Sequence, residues 1–262
     1  MTRPPKRPWM RHLARLLALV ALCALALQLT FALRVAAMAV VDPQSTAFQR
    51  SEAWRLLSTT GALPWRQQWA DAPRISPHLA RAVIASEDGG FAEHAGFDWE
   101  ALERAWARNA RAGAQQAWRV PPPGGDPAAT GPAGRRAAEP RLVGGSTITQ
   151  QLAKNLFLSG ERTVLRKAQE SLVTLMLEAL LSKRRILEIY LNSVEWGTGV
   201  FGAQAAAQHY FRTDAARLGP QQAARLAVML PAPKRFERLP ASPYLAARTA
   251  SVLARMGAVV PP

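Results

Sequence analysis

Cysteine is almost absent from this 262-residue sequence, which contains one, Cys23, together with four histidines. A single cysteine excludes intramolecular disulfides and zinc sites built from several cysteines. Cys23 lies in an apolar run, so we interpret it as a small packing residue and not as a nucleophile. Hydrophobic residues make up 49% of the chain and charged residues 19%, which excludes a disordered or fibrous protein and provides enough apolar side chains for one domain with a sizeable core.

Acidic residues are absent from the first 41 positions. These positions contain six basic residues, namely Arg3, Lys6, Arg7, Arg11, Arg15 and Arg34. They carry +6 of the formal net charge of +15, which leaves +9 on residues 42–262. Residues 16–33 form an uncharged apolar run that continues after Arg34 to residue 41, and about twenty apolar residues span a bilayer. We therefore predict a basic cytoplasmic stub and transmembrane anchor in residues 1–41, followed by the functional domain in residues 42–262.

The five charges before the apolar run predict the orientation of the chain. By the positive-inside rule, the N-terminus lies in the cytoplasm and residues 42–262 lie on the periplasmic side of the inner membrane, after a single pass. The alternative is a cleaved signal peptide with an A-x-A site at residues 37–39, although the apolar run is longer than such peptides usually carry. In both cases the domain is exported, so we predict no nucleic-acid partner despite the positive net charge.

Alternating apolar and polar runs are also absent, so the sequence predicts no convincing β-strand. Apolar residues instead recur every three or four positions, which predicts a mainly α fold. The predicted helices cover residues 165–179, 186–190, 220–230 and 244–256. Residues 112–141 are rich in proline, glycine and alanine and have no periodicity, so we interpret them as a flexible insert without a catalytic role.

Two further segments allow more than one interpretation. Residues 43–80 contain Trp54, Trp65 and Trp69, which suit either a membrane interface or a surface segment that packs its own tryptophans. Residues 197–202 spell G-x-G-x-x-G, the dinucleotide fingerprint. That fingerprint requires a preceding strand, a following helix and an acidic partner, and a helical pattern precedes it here. We therefore interpret residues 197–202 as a turn or binding loop between helices.

The first candidate site lies in residues 86–98, directly after an apolar stretch that predicts the end of a helix. Burial beside apolar walls would raise the pKa of Glu87 and suit it to general-base catalysis. Other roles are open for its neighbours: Asp88 in a turn cap, Phe91 in the core and His94 in a backbone hydrogen bond. A metal site formed by Glu87, Asp88, Glu93 and His94 is a weaker alternative, because no second histidine stands at ligand spacing.

The second candidate site is a glycine-rich turn that leads into a helix at residues 144–155. Thr147, Gln151 and Lys154 fall on one face of that helix, at positions i, i+4 and i+7. A helix N-terminus with an ammonium group on the same face can bind a phosphate or pyrophosphate. An ordinary amphipathic helix with a solvated polar face is the alternative. Only 5 of the 33 basic residues are lysines, yet Lys154 and Lys167 both fall in polar-faced segments.

The third candidate site is the pair Arg166 and Glu170, which are i, i+4 neighbours on a predicted helix whose other face is rich in leucine. A guanidinium group oriented by a carboxylate can bind an anionic ligand. The alternative is a surface ion pair that contributes a few tenths of a kcal/mol, as is usual for such pairs.

Four ordered blocks of the sequence resemble the successive motifs of peptidoglycan glycosyltransferases. The blocks are residues 87–96, 144–158, 166–170 and 183–211. The resemblance covers most of residues 43–235, and each block contains several of the fixed polar residues. The short chain, with one anchor and no penicillin-binding domain, is most similar to the monofunctional biosynthetic peptidoglycan transglycosylases.

The resemblance implies a lysozyme-like, mainly α domain with a jaw lobe against the membrane. It implies that the domain polymerises lipid II onto a lipid-linked glycan strand, forming β-1,4 bonds and expelling undecaprenyl pyrophosphate by inverting single displacement. The catalytic residues would be Glu87, as the general base, and Glu170, at the family's second acidic position, where it would position the cations or the leaving group. The substrate-binding residues would be Asp88, Phe91, His94, Thr147, Gln151, Lys154 and Arg166. Gln204 stands where the family leads us to expect an acid, so no role is carried over to it.

The resemblance implies no required cofactor, although Mg²⁺ or Mn²⁺ could bind through the substrate pyrophosphate. The implied partners are lipid II, the lipid-linked strand, the membrane and the cell-wall synthesis machinery. Two alternatives keep the fold: a lysozyme-like peptidoglycan hydrolase and a non-catalytic scaffold of wall synthesis. A glycosidase needs two carboxylic groups in separate roles, whereas a pyrophosphate leaving group needs one base and a cluster of cations, and the cations therefore favour transfer over hydrolysis.

Overall fold

The computed structural model describes residues 8–117, 145–158, 161 and 163–262. Helices dominate this part of the chain. They are α1 (Pro8–Ala37), α2 (Ala47–Thr60), α3 (Pro77–Glu87), α4 (Trp99–Ala117), α5 (Ile148–Phe157), α6 (Val164–Leu180), α7 (Lys183–Ser193), α8 (Ala203–Phe211), α9 (Pro220–Met229), α10 (Pro233–Arg238) and α11 (Pro243–Met256), with short 3₁₀ helices at Ala72–Arg74 and Ala215–Arg217. The mainly α fold and the four helices predicted from periodicity are confirmed.

The domain core joins two groups of helices. Helix α9 packs against α3 and α11, and α5 packs against α6 and α7. In α5, Ile148, Leu152 and Leu156 follow the helical repeat and are all buried. Val83 of α3 and Leu226 of α9 are fully buried in the same core cluster. Burial of an amphipathic face therefore holds these short helices in place, because helices of ten or eleven residues are marginal in isolation.

Local capping determines where the helices of the site begin. Ser76 caps α3 and is followed by proline at the first helical position. Thr147 caps α5 in a capping box with Gln150, and Thr163 caps α6. Such side chains satisfy backbone N–H groups that have no partner within the helix. The predicted start of α9 at Pro220 is also confirmed.

Three short strands form a sheet that the sequence did not predict. Strand β1 (Arg66–Gln67) pairs in parallel with β3 (Val200–Phe201), and β3 pairs antiparallel with β2 (Glu195–Gly197). The G-x-G-x-x-G segment is therefore a hairpin between α7 and α8, not a dinucleotide site. Gly199 has a φ of +70°, and a Cβ atom there would lie 1.8 Å from the carbonyl oxygen of Pro64. Only glycine permits this approach between the hairpin and the chain that follows α2.

Helix α1 is long and apolar enough over Trp9–Ala37 to cross a membrane. The most apolar 18-residue window of this segment is not buried within the domain, whereas Val35 near its end packs into the core. This finding fits membrane anchoring. The helix also contacts α6, where Gln28 and Gln169 exchange two amide hydrogen bonds of 2.8 and 3.0 Å. Cys23 is exposed on α1, within the apolar segment, and its interpretation as a small packing residue stays a prediction.

The leucine-rich face of α6 points outward. Leu165 is 83% exposed, and Leu172 and Leu175 are also exposed, whereas Val173 and Leu177 supply the buried face. Periodicity predicts the helix correctly but does not distinguish a core-facing stripe from an outer one. Because α6 also contacts α1, the exposed leucines form an apolar surface beside this candidate membrane anchor.

The three tryptophans of residues 43–80 have different surroundings. Trp54 on α2 is 73% exposed. Trp65 packs on Phe201 of the hairpin, with ring centroids 4.5 Å apart, and Trp69 lies under the guanidinium of Arg185. Trp54 therefore fits the interface interpretation, and the other two fit the packing interpretation.

The predicted flexible insert at residues 112–141 begins inside a helix. Residues 112–117 form the last turns of α4, so the insert interpretation is wrong for this part. The remaining residues of the predicted insert, 118–141, and the first glycine of the second candidate site, Gly144, lie outside the described residues.

Candidate active site

Glu87 is the last residue of α3 and lies at the edge of a cavity of about 760 Å³. We call it the Glu87 cavity; six of its lining residues are Glu87, Asp88, His94, Arg104, Thr147 and Arg255. The side chain of Glu87 is partly buried and accepts a hydrogen bond of 3.1 Å from Gln151 Nε2. Burial raises the pKa of Glu87, and the hydrogen bond from Gln151 opposes that shift. A carboxylate with a raised pKa in a cavity is suited to accept a proton near neutral pH.

Asp88 connects the loop after α3 to the start of α5. Its Oδ2 accepts a hydrogen bond of 2.9 Å from the backbone N–H of Ile148, and its Oδ1 lies 2.8 Å from His94 Nε2. The carboxylate therefore satisfies one of the free N–H groups at the helix N-terminus, where negative charge is favoured. Both oxygens of Asp88 are engaged in holding the loop and the helix together.

Phe91 supports the loop from beneath and does not reach the cavity. Its ring is 0% exposed, and Lys183 Nζ lies 4.6 Å from the ring centroid. The same ammonium group donates a hydrogen bond of 2.6 Å to the carbonyl oxygen of His94. The prediction that Phe91 binds substrate is therefore wrong for direct contact, because a fully buried ring cannot touch a ligand in the Glu87 cavity. His94 does line that cavity.

Thr147 bridges the two sequence blocks that the insert separates. Its hydroxyl donates a hydrogen bond of 2.7 Å to the carbonyl oxygen of Gly96 and accepts one of 3.2 Å from the backbone N–H of Gln150. The side chain is buried, although the residue lines the Glu87 cavity. Its hydroxyl thus fixes α5 relative to the loop that follows Glu87.

Gln151 lies between Glu87 and a buried phenol. Its Nε2 donates to Glu87, and its Oε1 accepts a hydrogen bond of 2.9 Å from the hydroxyl of Tyr190 on α7. The phenol is a donor, so the bond fixes which end of the amide faces Glu87. Burial raises the pKa of Tyr190 well above its usual value, and the charges of Glu87 and Asp88 raise it further, so the phenol keeps its proton.

A second cavity, of about 520 Å³, lies between α2, α5 and α6. We call it the cation groove; its charged lining residues are Glu52, Arg55, Lys154, Glu161, Arg166, Lys167 and Glu170. Gln151 lines this groove and Ser146 lines both cavities, so the groove and the Glu87 cavity adjoin. The predicted residues Gln151, Lys154, Arg166 and Glu170 are therefore brought together in one place.

Glu170 holds the two cations of α6. Its Oε2 accepts a hydrogen bond of 2.8 Å from Arg166 Nη1, and its Oε1 accepts one from Lys167 Nζ. Glu170 is buried, whereas Lys167 is half-exposed. Arg166 Nε is buried and has no hydrogen-bond partner among the described residues. A buried carboxylate that positions an arginine with a spare donor is an arrangement suited to binding an anion.

Among the described residues, one group of side chains has the proximity needed for a metal ion. Ligand atoms of Asp88, His94 and Asp98 lie within 4.8 Å of one another. Glu87 and Glu93, which the metal alternative also required, are not in this group. The oxygens of Asp88 already bind Ile148 and His94, and Asp98 Oδ1 accepts a hydrogen bond of 2.7 Å from the backbone N–H of Ala101. The three side chains thus already take part in hydrogen bonds within the protein.

The transglycosylase family model matches residues 55–117 and 123–257 of this chain. This match covers more than half of the sequence, including all lining residues of the Glu87 cavity and those of the cation groove apart from Phe48, Ser51 and Glu52. The chain belongs to the transglycosylase family. It is similar to biosynthetic peptidoglycan transglycosylases of Burkholderia thailandensis, with 50% identity over 89% of this chain and 81% of the relative, and of Paraburkholderia xenovorans, with 44% identity over 98% and 95%. A third relative of that name, from Herminiimonas arsenicoxydans, is 46% identical over 90% and 91%.

Family membership confirms the predicted relationship to peptidoglycan glycosyltransferases. It also confirms a lysozyme-like, mainly α fold and glycosyltransferase activity. The roles predicted for individual residues in this transglycosylase stay predictions. The geometry divides them into two sets: Glu87, Asp88, His94 and Thr147 around the Glu87 cavity, and Gln151, Lys154, Arg166 and Glu170 around the cation groove.

Three side chains at the site of this transglycosylase are not predicted from its sequence. Tyr190 was assigned only to the apolar repeat of α7, although a buried phenol needs a hydrogen-bond partner, and that requirement was the available signal. Glu52 and Arg55 on α2 line the cation groove but belong to no recognised motif. Their i, i+3 spacing was visible in the sequence, whereas their proximity to α5 and α6 was not.

Gln204 has a structural role away from both cavities. Its Nε2 donates a hydrogen bond of 3.1 Å to Asp214, and its Oε1 accepts one of 2.8 Å from the backbone N–H of Ala215. A glutamate at this position would place a second carboxylate against Asp214. The amide therefore suits the turn that this transglycosylase has there.

Proposed function

We propose that this transglycosylase polymerises lipid II into the glycan strands of peptidoglycan. Each cycle joins the 4-hydroxyl of one lipid II to the anomeric carbon of a lipid-linked strand through a β-1,4 bond and releases undecaprenyl pyrophosphate. The shared name of its relatives supports peptidoglycan as the product. The observation that carries the proposal is the position of Gln151, which hydrogen-bonds Glu87 on one side and lines the cation groove on the other.

The proposed step is a single displacement. Glu87 accepts the proton of the acceptor hydroxyl while the hydroxyl oxygen forms a bond to the anomeric carbon of the donor. The bond between that carbon and the pyrophosphate oxygen breaks, and its electron pair stays on the pyrophosphate. The configuration at the carbon inverts, and Glu87 then passes its proton to water. The raised pKa of Glu87 suits it to this transfer near neutral pH.

The cations of the groove stabilise the leaving group in this proposal. Negative charge develops on the pyrophosphate oxygens as the glycosidic bond breaks. Lys154, Arg166 and Lys167 line the groove and are held before the reaction begins, Arg166 and Lys167 by Glu170. Donors fixed in advance where charge develops lower the barrier without a reorganisation cost.

The lipid carriers of both substrates require the site to lie beside a membrane. Helix α1 provides the anchor, and the exposed leucines of α6 extend its apolar surface toward the domain. The five basic residues before the apolar run favour a cytoplasmic N-terminus, so we propose that the domain faces the periplasm with its jaw lobe against the inner membrane. We also propose that the protein, in this location, contacts other proteins of cell-wall synthesis.

We propose that the reaction requires no resident metal ion. Mg²⁺ or Mn²⁺ can bind the pyrophosphate of the substrate directly, without ligands from the protein. Treatment of the full-length protein with EDTA should then leave its thermal unfolding temperature unchanged and reduce polymerisation by no more than a few-fold. A fall in unfolding temperature that Mg²⁺ restores would contradict the proposal.

The decisive experiment is polymerisation of purified lipid II by the full-length protein in detergent micelles. We expect glycan strands from the wild type and from Glu103→Gln, whose exposed carboxylate lies on α4 outside both cavities. Glu87→Gln should reduce the rate by about 100-fold or more without a change in unfolding temperature, because a positioned base contributes roughly that factor. The wild-type rate should rise with pH through the raised pKa of Glu87.

The same preparation distinguishes the two alternative functions. A hydrolase would release soluble fragments from preformed peptidoglycan and make no polymer from lipid II. A scaffold would support wall synthesis in cells even when Lys154→Ala and Arg166→Ala are combined, whereas the proposed enzyme should lose both polymerisation and cellular function. Normal polymerisation by Glu87→Gln would overturn the assignment of the base.

A further inference from the structure

Helix α2 contributes an arginine to the cation groove, on the side opposite the predicted donor-binding residues. Arg55 lines the groove together with Lys154, Arg166 and Lys167. Its guanidinium makes two hydrogen bonds to Glu52, from Nε to Oε2 at 2.8 Å and from Nη2 to Oε1 at 2.5 Å. The planar group is thus held by a bidentate contact, which restricts its orientation more than a single contact would.

Glu52 is itself fixed, so this contact differs from an ordinary surface pair. Its side chain is 5% exposed, and its Oε1 also accepts a hydrogen bond of 2.6 Å from Lys234 on α10. Burial raises the pKa of Glu52, but the hydrogen bonds from Arg55 and Lys234 outweigh that effect, and its pKa is lowered. The carboxylate therefore stays charged and keeps Arg55 in place.

The α2 wall and the α6 wall of the groove have the same arrangement of charged side chains. On α6, the buried Glu170 holds Arg166 and Lys167; on α2, the buried Glu52 holds Arg55 and Lys234. The α6 cluster combines two cations with one anion and has a formal charge of +1. Lys234 also lies 3.2 Å from Glu195 Oε1, so the α2 cluster has a formal charge of +1 when Glu195 is protonated and of zero when it is ionised. Arg55 Nη1 has no hydrogen-bond partner among the described residues, and its side chain is 47% exposed. A spare guanidinium donor is thus available in the groove.

The position of α2 indicates which anion this donor meets. The helix begins ten residues after α1 ends, and Trp54, next to Arg55, is 73% exposed. Tryptophans are enriched at the level of lipid headgroups. The pyrophosphate of a polyprenyl lipid lies at that level, because it is attached directly to the chain. Each of the two phosphates can then contact a cluster that contains two cations, one on α2 and the other on α6.

We infer that Arg55, oriented by Glu52, binds the pyrophosphate of the lipid-linked substrate from the α2 side of the cation groove. The inference rests on the proposed function for the identity of the substrate. Arg55 acts as a binding residue in the donor site, and Glu52 acts as its positioning residue. The stem peptide of lipid II also carries anionic groups, so the test must separate pyrophosphate from carboxylate.

The test compares Arg55→Ala with Arg50→Gln in the full-length protein. Arg50 lies on the same helix, pairs with Ser45 and lines neither cavity, which makes it a matched control. We expect the affinity for farnesyl pyrophosphate, measured by calorimetry in detergent micelles, to fall about tenfold in Arg55→Ala and to stay unchanged in Arg50→Gln. Glu52→Gln keeps the arginine but weakens the contact that orients it, so its loss of affinity for farnesyl pyrophosphate should be smaller.

Polymerisation of lipid II provides the second measurement. Arg55→Ala should raise the KM by about tenfold and change kcat by less than twofold, because the contact is made before the reaction as well as during it. Equal affinities of Arg55→Ala and Arg50→Gln for farnesyl pyrophosphate would overturn the inference, and a raised KM without a change in that affinity would assign Arg55 to another anionic group. A wild type that binds the probe through Arg55 but makes no polymer would instead overturn the proposed function.

Discussion

The hydroxyl of Tyr190 donates a hydrogen bond of 2.9 Å to Gln151 Oε1, and this bond determines that Gln151 presents its NH₂ group to Glu87. The two residues are 39 positions apart and come from α7 and α5. An amide can turn over with little change in shape, so the phenol is what distinguishes its two ends. The base of the proposed reaction is therefore positioned by a residue that does not line either cavity.

Replacing Tyr190 with phenylalanine should change the pH dependence of the enzyme. Without the phenol, Gln151 no longer has a fixed orientation, and Glu87 loses a hydrogen bond that lowers its pKa. The acidic limb of the rate profile should move to higher pH, with about a tenfold loss of kcat/KM at neutral pH. A pH–rate profile of lipid II polymerisation measures this shift. An unchanged profile, with only a lower unfolding temperature, would mean that Tyr190 has a packing role alone.

Glu170→Gln should weaken donor binding without moving that profile. The substitution leaves Arg166 and Lys167 without the buried carboxylate that holds them. We expect a loss of about 2 kcal/mol in the free energy of unfolding, since removing one partner of a buried ion pair is costly. The affinity for farnesyl pyrophosphate should fall as well, and calorimetry measures it. A shifted acidic limb in this variant would indicate that Glu170 takes part in proton transfer.

Glu195→Gln should alter how stability depends on pH. Burial raises the pKa of Glu195 to about 7, the nearby charge of Glu52 adds to the shift, and Lys234 opposes it. Lys234 Nζ lies 3.2 Å from Glu195 Oε1, although that oxygen receives no well-aligned hydrogen bond. The carboxyl is thus protonated in the folded protein at pH values where the unfolded chain is already ionised.

The sign of this effect follows from the raised pKa. The contribution of Glu195 to stability is fully present below its ordinary value of 4.5 and is lost as the pH rises through about 7. The wild type should therefore lose about 3 kcal/mol relative to Glu195→Gln across this range. Unfolding curves at pH 4.5, 6 and 8 measure the difference, with the exposed Glu103→Gln as control. Parallel stability curves for wild type and Glu195→Gln would contradict the prediction.

Gln28→Leu should loosen the anchor from the domain. The variant removes both amide hydrogen bonds between α1 and α6, and a hydrogen bond in a protein contributes about 1 kcal/mol net. We expect the unfolding temperature of the full-length protein in micelles to fall by about 2 °C. Thr30→Val is the matched control, because the hydroxyl of Thr30 bonds only within its own helix. Equal unfolding temperatures of the two variants would show that the amide pair contributes nothing measurable.

The sequence predicted the parts of the site that depend on local chemistry. Caps and helical repeats placed Glu87 at the end of α3 and aligned Thr147, Gln151 and Lys154 on α5. The ion pair of Arg166 with Glu170 followed from their i, i+4 spacing. Each of these features involves residues within one or two helical turns, where spacing alone determines proximity.

Features that depend on distant contacts could not be predicted from a single sequence. The strands have only two or three residues and exist because the hairpin pairs with the segment after α2. Lys234 meets Glu52 across 182 positions, and no local pattern marks that contact. The resemblance implies substrate binding for Phe91, whereas the residues themselves leave a cavity wall and a core position open, and only burial distinguishes the two.

The glycines of the β2–β3 hairpin show that the same glycine spacing can meet two different structural requirements. In nucleotide-binding folds the G-x-G-x-x-G spacing admits a phosphate. Here Gly199 admits the carbonyl of Pro64, and Gly202, at a φ of +85°, admits the carbonyl of Asn192. The ligand of this glycine motif is the protein's own backbone. A motif search that used the spacing alone would predict a coenzyme site in a segment where two parts of the backbone pass close to each other.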